Sequence, residues 1–192
     1  FDLAVSVLAL QYVNDLPGVL AQIRRLLRPD GLFIGVVLGG ATLAELRHVM
    51  LEAEAAVTGG ASPRVAPFID VRDAGGLLQR AGFALPVSDV ETLEVTYPSA
   101  LHLMRELKAM GAGNVLNERS RRPMTRSLLF EAVERYGRSY PASKGEPGRI
   151  RATFELVTLT GWAPDESQQK PLRPGSAKAR LAEALNTRER KP

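Results

Sequence analysis

The first segment of the chain is almost entirely apolar. The run "LAVSVLAL" near the start has continuous rather than alternating hydrophobicity, which is typical of a strand covered on both faces, as in a parallel sheet. An amphipathic helix follows, with Asn14 and Asp15 as candidate caps and Pro17 in its first turn. The segment "LFIGVVLGG" predicts a second buried strand. Strand, helix and strand of this size form a right-handed βαβ unit.

Further apolar periodicity predicts more helices and two more strands. Helical spacing is expected over about 42–57 and 71–81, along Leu101, Met104 and Leu107, from Thr125 to about Tyr136, and in a last short helix from Ser176 to Leu185. The segments "PVSDVETLEVTY" and "RATFELVTLTGWA" predict strands. The alternation of strands and helices places the chain in the α/β class.

The residue content excludes several kinds of chemistry. The chain has no cysteine, so disulfides, thiolate metal sites and cysteine nucleophiles are excluded. Only His48 and His102 supply imidazole, and their wide separation predicts no metal site. No apolar run reaches the roughly 18 residues that a membrane span needs, and the start of the chain lacks the basic region of a signal peptide. We therefore expect a cytoplasmic or mitochondrial matrix-like compartment.

Positive charge is concentrated in the second part of the chain. The net charge is +4, and residues 117–192 contain 16 basic and 9 acidic side chains. Such a surface could face nucleic acid, an acidic protein or anionic lipid, or it could simply be solvated. The basic residues lack interleaved aromatics, which argues against nucleic acid. A peripheral membrane contact through the basic tail, residues 163–192, is left open.

Three stretches carry a resemblance to a known family. The block "FDLAVSVLALQYVNDLPGVLAQIRRLLRPDGLF" resembles the start of the C-terminal half of class I S-adenosylmethionine-dependent methyltransferases. The segment "SALHLMRELKAMGAGNVLNERSRRPMTRSLL" is similar to one in the malonyl-acyl-carrier-protein O-methyltransferase of biotin synthesis and in its relative, complex I assembly factor 5. The end, "TLTGWAPDESQQKPLRPGSAKARLAEAL", resembles the assembly-factor branch.

The resemblance implies only part of a Rossmann-like domain. Residues 1–162 would be strands four to seven of a seven-stranded methyltransferase sheet, with the last strand antiparallel and a helical insertion at about 99–140. Residues 163–192 would be an extended tail. The family's Gly-rich turn and strand-two acidic residue, which bind the cofactor, cannot be placed in this sequence. Phe1 would then begin strand four, and the first three strands would be missing.

The resemblance also implies where a site would lie. Ligands of open α/β sheets bind beyond the carboxyl ends of the strands, near the switch point. S-adenosyl-L-methionine, bound by the full-length protein, would lie along Ser6, Val7 and Leu8. Gln11 and Tyr12 would face the substrate and the methyl carbon. In the alternative interpretation, Tyr12 packs against the helix start and Gln11 is a solvated turn residue.

Other candidate residues have two interpretations each. Gly39, at the end of the second strand, could let backbone approach a substrate or could simply make the turn into the next helix. Four basic residues either form a lid that recognises an acidic partner or are solvated: Arg105, Lys108, Arg121 and Arg122. No catalytic residue is assigned.

Two classes of function remain open. The first is a methyltransferase-family enzyme that modifies a protein or a carrier-bound acceptor such as an acyl-carrier-protein substrate. The second is an assembly factor for respiratory complex I, either non-catalytic or hydroxylating arginine. Since the main cofactor-binding half cannot be placed, we expect these 192 residues alone to be inactive and to present an unpaired strand edge.

Overall fold

The computed structural model describes residues 1–142, 146–169 and 176. In this part of the chain the elements are β1 (Leu3–Val7), α1 (Leu16–Leu26), β2 (Leu32–Leu38), α2 (Ala44–Thr58), α3 (Val71–Ala81), β3 (Ala84–Tyr97), α4 (Ala100–Ala109), α5 (Arg126–Ser139) and β4 (Ile150–Trp162). A single 3-10 turn covers Leu10–Tyr12. The helix predicted after Ser176 and most of the basic tail lie outside the described residues.

The four strands form one mixed sheet in the order β1-β2-β4-β3. β1 and β2 pair in parallel, whereas β4 lies antiparallel between β2 and β3. The predictions of an α/β fold and of an antiparallel last strand are therefore confirmed. Helices α4 and α5 lie between β3 and β4; that this segment is an insertion stays a prediction. β1 lies at one edge, and β2 is its neighbour in the described sheet.

Local signals explain where several helices begin and end. The carboxylate of Asp15 accepts a hydrogen bond of 2.9 Å from the backbone N–H of Gly18, and so caps α1. Thr125 Oγ1 accepts a hydrogen bond of 3.3 Å from the N–H of Leu128 at the start of α5. α3 ends at Gly82, whose φ of 84° is the left-handed conformation that glycine adopts most easily.

One face of the sheet is covered by α1 and α3. Phe33 and Val37 of β2 and Val157 and Leu159 of β4 are almost inaccessible to solvent there. Their alternate spacing places them on the same side of the sheet. The ring of Phe33 stacks on Phe83 with centroids 5.4 Å apart. This layer supplies the core beneath the first βα unit.

A second core lies among α2, α4, α5 and the paired ends of β3 and β4. Tyr136 is fully buried at its centre, and its hydroxyl donates a hydrogen bond of 3.0 Å to the carbonyl of Arg151. Burial and the nearby Glu45 raise the pKa of Tyr136 well above its usual range. The phenol therefore remains protonated and keeps this bond at physiological pH.

The sequence prediction for β1 was wrong in two respects. Leu3, Val5 and Val7 are 52%, 58% and 63% exposed, so one face of this strand is open rather than covered. The strand also ends at Val7 and not near Leu10, because Leu8 has a left-handed backbone, with φ of 50°, before the 3-10 turn. The predicted unpaired edge is present in the described sheet, where β1 pairs with β2 alone.

Candidate substrate and cofactor site

A cavity of about 360 Å³ lies where β1 and β2 end, and its walls are mainly apolar. Leu8, Gln11 and Tyr12 form the side contributed by the residues after β1. The sheet contributes Leu38, Leu93, Phe154 and Leu156, and the end of α4 contributes Leu107 and Met110. Its volume falls in the range of about 300–1,000 Å³ typical of ligand pockets. The cavity is therefore a candidate binding site.

The side chain of Gln11 provides an unpaired acceptor in this wall. Its Nε2 donates a hydrogen bond of 2.7 Å to the carbonyl of Leu8. Since that carbonyl can only accept, the orientation of the amide is fixed. The other amide atom, Oε1, is buried and has no partner among the described residues. A buried acceptor of this kind is suited to a ligand that donates a hydrogen bond. Gln11 lies in the 3-10 turn Leu10–Tyr12, and its role stays a prediction.

Two strained backbone positions lie in the same wall. Four non-glycine residues in the described part of the chain have positive φ, and two of them, Leu8 at 50° and Leu43 at 54°, line this cavity. Leucine has no side-chain group that favours this conformation, so each position costs on the order of 1–3 kcal/mol. Such strain tends to occur at functional sites.

Buried polar contacts hold the rear of the cavity in place. Thr42 is fully buried, and its Oγ1 donates to the carbonyl of Glu155 at 3.1 Å and accepts from the N–H of Glu155 at 3.0 Å. The guanidinium of Arg47 donates to the carbonyls of Gly40, Thr42 and Ala66 at 3.1 to 3.3 Å. The connection after β2 is therefore fixed against β4.

The structure brings together some of the residues proposed from sequence and separates others. Leu8, Gln11 and Tyr12 line the cavity, and Tyr12 is 65% exposed at its mouth. Ser6 and Val7 are not among the lining residues; Ser6 pairs with Gly35 in the sheet, and the Val7 side chain points to the open face. The contact of these residues with S-adenosyl-L-methionine stays a prediction.

Gly39 has a structural reason to lack a side chain. A Cβ atom at this position would lie 2.2 Å from the Oε1 atom of Glu155 and 2.8 Å from Val157 Cγ2. The N–H of Gly39 donates a hydrogen bond of 2.8 Å to the carbonyl of Glu155. Close packing on β4 explains this glycine, and its proposed contact with substrate stays a prediction.

The sequence did not identify the other residues that line the cavity. Leu93 of β3 and Phe154 of β4 face each other in the sheet register, and Met110 follows α4. These residues are far apart in sequence, and only the pairing of β3 with β4 and the position of α4 bring them to Leu8. A long-range pairing of this kind leaves no local signal.

The described residues contain neither a cluster of metal-ligating side chains nor a membrane-spanning helix. Across 1–142 and 146–169 no three histidine or acidic side chains converge as metal ligands would. Within the same ranges no helix combines the length and apolarity required to cross a bilayer.

Comparison with known proteins finds relatives that agree with the resemblance inferred from the sequence. A family profile described as "Methyltransferase domain" matches residues 1–35. "Arginine-hydroxylase NDUFAF5, mitochondrial" is 40% identical over 183 residues in Danio rerio and 41% identical over 183 residues in Homo sapiens, with 95% of this chain aligned in each case. The "Malonyl-[acyl-carrier protein] O-methyltransferase" of Methylovorus sp. is 39% identical over 163 residues, or 85% of this chain. This chain is related to methyltransferase-family proteins.

The family resemblance inferred from the sequence is thus confirmed, but the match covers only part of each relative. The aligned region is 56% of the zebrafish protein, 52% of the human protein and 51% of the Methylovorus protein. The chain therefore spans about half the length of these relatives. Among solved structures, the YcgJ protein from Bacillus subtilis has a TM-score of 0.48 at 12% identity, covering 86% of this chain and 64% of that chain. The relationship rests on the sequence relatives and not on this likeness.

Proposed function

We propose that this chain is the substrate-facing half of an S-adenosylmethionine-dependent, methyltransferase-family protein that modifies a protein or a carrier-bound acceptor. The observation that supports this most directly is the cavity at the ends of β1 and β2. It combines apolar walls with the unpaired, buried acceptor Gln11 Oε1, beyond the carboxyl ends of parallel strands where ligands of α/β sheets bind.

The residues present fit one wall of a cofactor site. The orphan Oε1 of Gln11 can accept from a donor group of the cofactor or acceptor, and Ser6, Val7 and Leu8 would border the cofactor along the strand. When bound, S-adenosylmethionine supplies an electrophilic methyl group on a sulfonium. Transfer of that group requires in-line positioning more than a strong base. In this proposal Gln11 orients the acceptor, and the apolar residues exclude water.

The remainder of the cofactor site would be supplied from upstream. The side chains of Leu3, Val5 and Val7 leave an apolar face uncovered, and the outer edge of β1 has no neighbour in the described sheet. Both features fit a seven-stranded sheet in which these four strands are the second half. The match to about half of each relative's length supports the same arrangement.

A second candidate is an assembly factor for respiratory complex I that hydroxylates arginine or acts without catalysis. The relatives named arginine-hydroxylase align with 92–97% of this chain, whereas the acyl-carrier-protein methyltransferases align with 83–91%. The more complete match favours that branch. Either function is compatible with the mitochondrial matrix or with the bacterial cytoplasm.

The decisive experiment joins this chain to the part of the zebrafish relative that lies outside its matched segment. We expect the fusion to bind S-adenosylmethionine with a micromolar dissociation constant in titration calorimetry, and this chain alone to give no measurable heat. Mass spectrometry of candidate acceptors then distinguishes a transferred methyl group from an added oxygen atom. A fusion that melts cooperatively but does not bind the cofactor would contradict the proposal, as would micromolar binding by the isolated chain.

The role of Gln11 is tested within the same fusion. Gln11→Leu removes one neutral hydrogen bond, so affinity for cofactor or acceptor should fall about three- to tenfold. Gln79→Leu is the matched control, because Gln79 is exposed on α3 and does not line the cavity. Equal effects of the two substitutions would remove Gln11 from the site.

A further inference from the structure

A second cavity, of about 400 Å³, lies beneath α4 and the loop that follows it. The chain has four methionines, and three of them line this cavity. The fourth, Met110, lines the candidate site described above. The apolar wall of the second cavity is formed by Leu46, Met50, Val65, Met104, Leu107 and Met124.

This lining is suited to a flexible apolar ligand. Methionine side chains are unbranched and polarisable, so they repack around irregular or variable shapes and are frequent on adaptable binding surfaces. The volume of the cavity lies in the range of ligand pockets, about 300–1,000 Å³. The cavity is therefore large enough to hold a ligand.

The mouth of the cavity carries two cations, and one of them, Arg64, is paired with the buried carboxylate of Glu54. Lys108 is exposed at the end of α4, and no ion pair of Lys108 is present within the described ranges. Arg64 binds Glu54 through Nη2, but its Nε is buried and has no partner in the described part of the chain. Asn114 donates a hydrogen bond of 2.8 Å to the carbonyl of Pro63 and so holds the two loops together beside these cations.

We propose that this cavity binds a linear aliphatic chain with an anionic head group, such as a carboxylate or a phosphate monoester. The chain lies among the three methionines, and the head group lies between Lys108 and Arg64. This site is additional to the proposed function, because a different set of residues forms it. Leu107 and Ala112 line both cavities, so an occupant would contact the wall of the candidate substrate site.

The test uses all 192 residues of this chain and four ligands with the same ten-carbon tail. Decanoate and decyl phosphate are the anionic probes, decanol is the neutral probe and decyltrimethylammonium is the cationic probe. Equilibrium dialysis should give saturable binding of the anions that is about tenfold or more tighter than binding of the cation, since charge-assisted bonds form only with the anions. The ratio between decanoate and decyl phosphate then identifies which head group fits. Absence of saturable anion binding, or equal binding of the cation, would overturn the proposal.

Matched substitutions locate the bound ligand. Lys108→Glu should weaken decanoate binding about tenfold, whereas Arg105→Glu, on the same helix but outside the lining, should leave it unchanged. Met104→Trp should abolish binding by filling the cavity, and Leu26→Trp, at an exposed position on α1 outside both linings, should not. If Met104→Trp fails to fold, the comparison of Lys108→Glu with Arg105→Glu still tests the site, because both side chains are exposed and their substitution should not disturb the fold. Equal losses in the two charge variants would refute the site.

Discussion

A buried ion pair between α2 and the loop after it allows a direct test of how much one contact contributes to the stability of the fold. Glu54 is only 5% exposed. Its carboxylate accepts hydrogen bonds of 2.8 Å from both the N–H and the hydroxyl of Ser62, and it pairs with the guanidinium of Arg64. These contacts fix the loop that carries Arg64 to the mouth of the methionine-lined cavity.

Glu54→Gln should strongly destabilise the fold. The substitution keeps the shape of the side chain but leaves Arg64, whose side chain is 15% exposed, without its counter-charge. Breaking a buried pair in this way costs about 3–5 kcal/mol. With a urea dependence of about 2 kcal/mol per molar, the unfolding midpoint should fall by about 1.5–2.5 M. Glu52→Gln is the control: Glu52 is 43% exposed and contacts His48 and Arg135, so its loss should cost under about 1 kcal/mol.

The pH dependence of this pair has a definite sign. Burial acts to raise the pKa of Glu54, but the hydrogen bonds from Arg64 and Ser62 outweigh it, so the pKa lies below its ordinary value of 4.5. A carboxylate with a depressed folded-state pKa stabilises the fold above its unfolded-state pKa, and this stabilisation is lost as pH falls through the folded-state value. The difference between wild type and Glu54→Gln should therefore be full at neutral pH and should close in acid. A Glu54→Gln cost no larger than that of Glu52→Gln, or a difference independent of pH, would refute this reasoning.

Two further predictions concern the sheet. Gly39→Ala should lower the free energy of unfolding by about 1–3 kcal/mol in a urea titration, because its Cβ would lie 2.2 Å from a Glu155 carboxylate oxygen. Gly60→Ala is the control. No atom lies within 4 Å of its Cβ, so it should change the free energy of unfolding by less than about 0.5 kcal/mol. Val5→Lys should reduce concentration-dependent association in sedimentation velocity, because a charge on an exposed edge strand opposes edge-to-edge pairing. Leu26→Lys is the control: it places a charge at an exposed position on α1, away from the edge strand, and should leave association unchanged. A wild-type chain that is monomeric at every concentration would contradict the prediction.

Local chemistry made several elements predictable from the sequence. α3 spans 71–81 as expected, because the apolar spacing and Gly82 both define its end. The helix after Thr125 begins where its hydroxyl caps it, although it extends beyond Tyr136 to Ser139. Such signals act over three or four residues, so they are visible in one sequence.

Features that depend on distant partners were less predictable. An apolar run indicates that β1 suits a covered position, but it does not show whether covering elements are present, and one face of β1 is open. The placement of Leu8, Gln11 and Tyr12 in one cavity follows from the general position of sites at strand ends. The residues opposite them, Leu93 and Phe154, depend on the register of β3 with β4, which no local pattern specifies.

The distribution of methionine has a consequence for oxidative chemistry. Met110 and Met124 are 62% and 41% exposed, whereas Met50 is 3% exposed. Peroxide should therefore convert the first two to sulfoxides well before the third. Each sulfoxide places a polar, chiral group in a mainly apolar wall. Mild oxidation would therefore lower the affinity of both cavities for apolar ligands, and a methionine sulfoxide reductase would restore it.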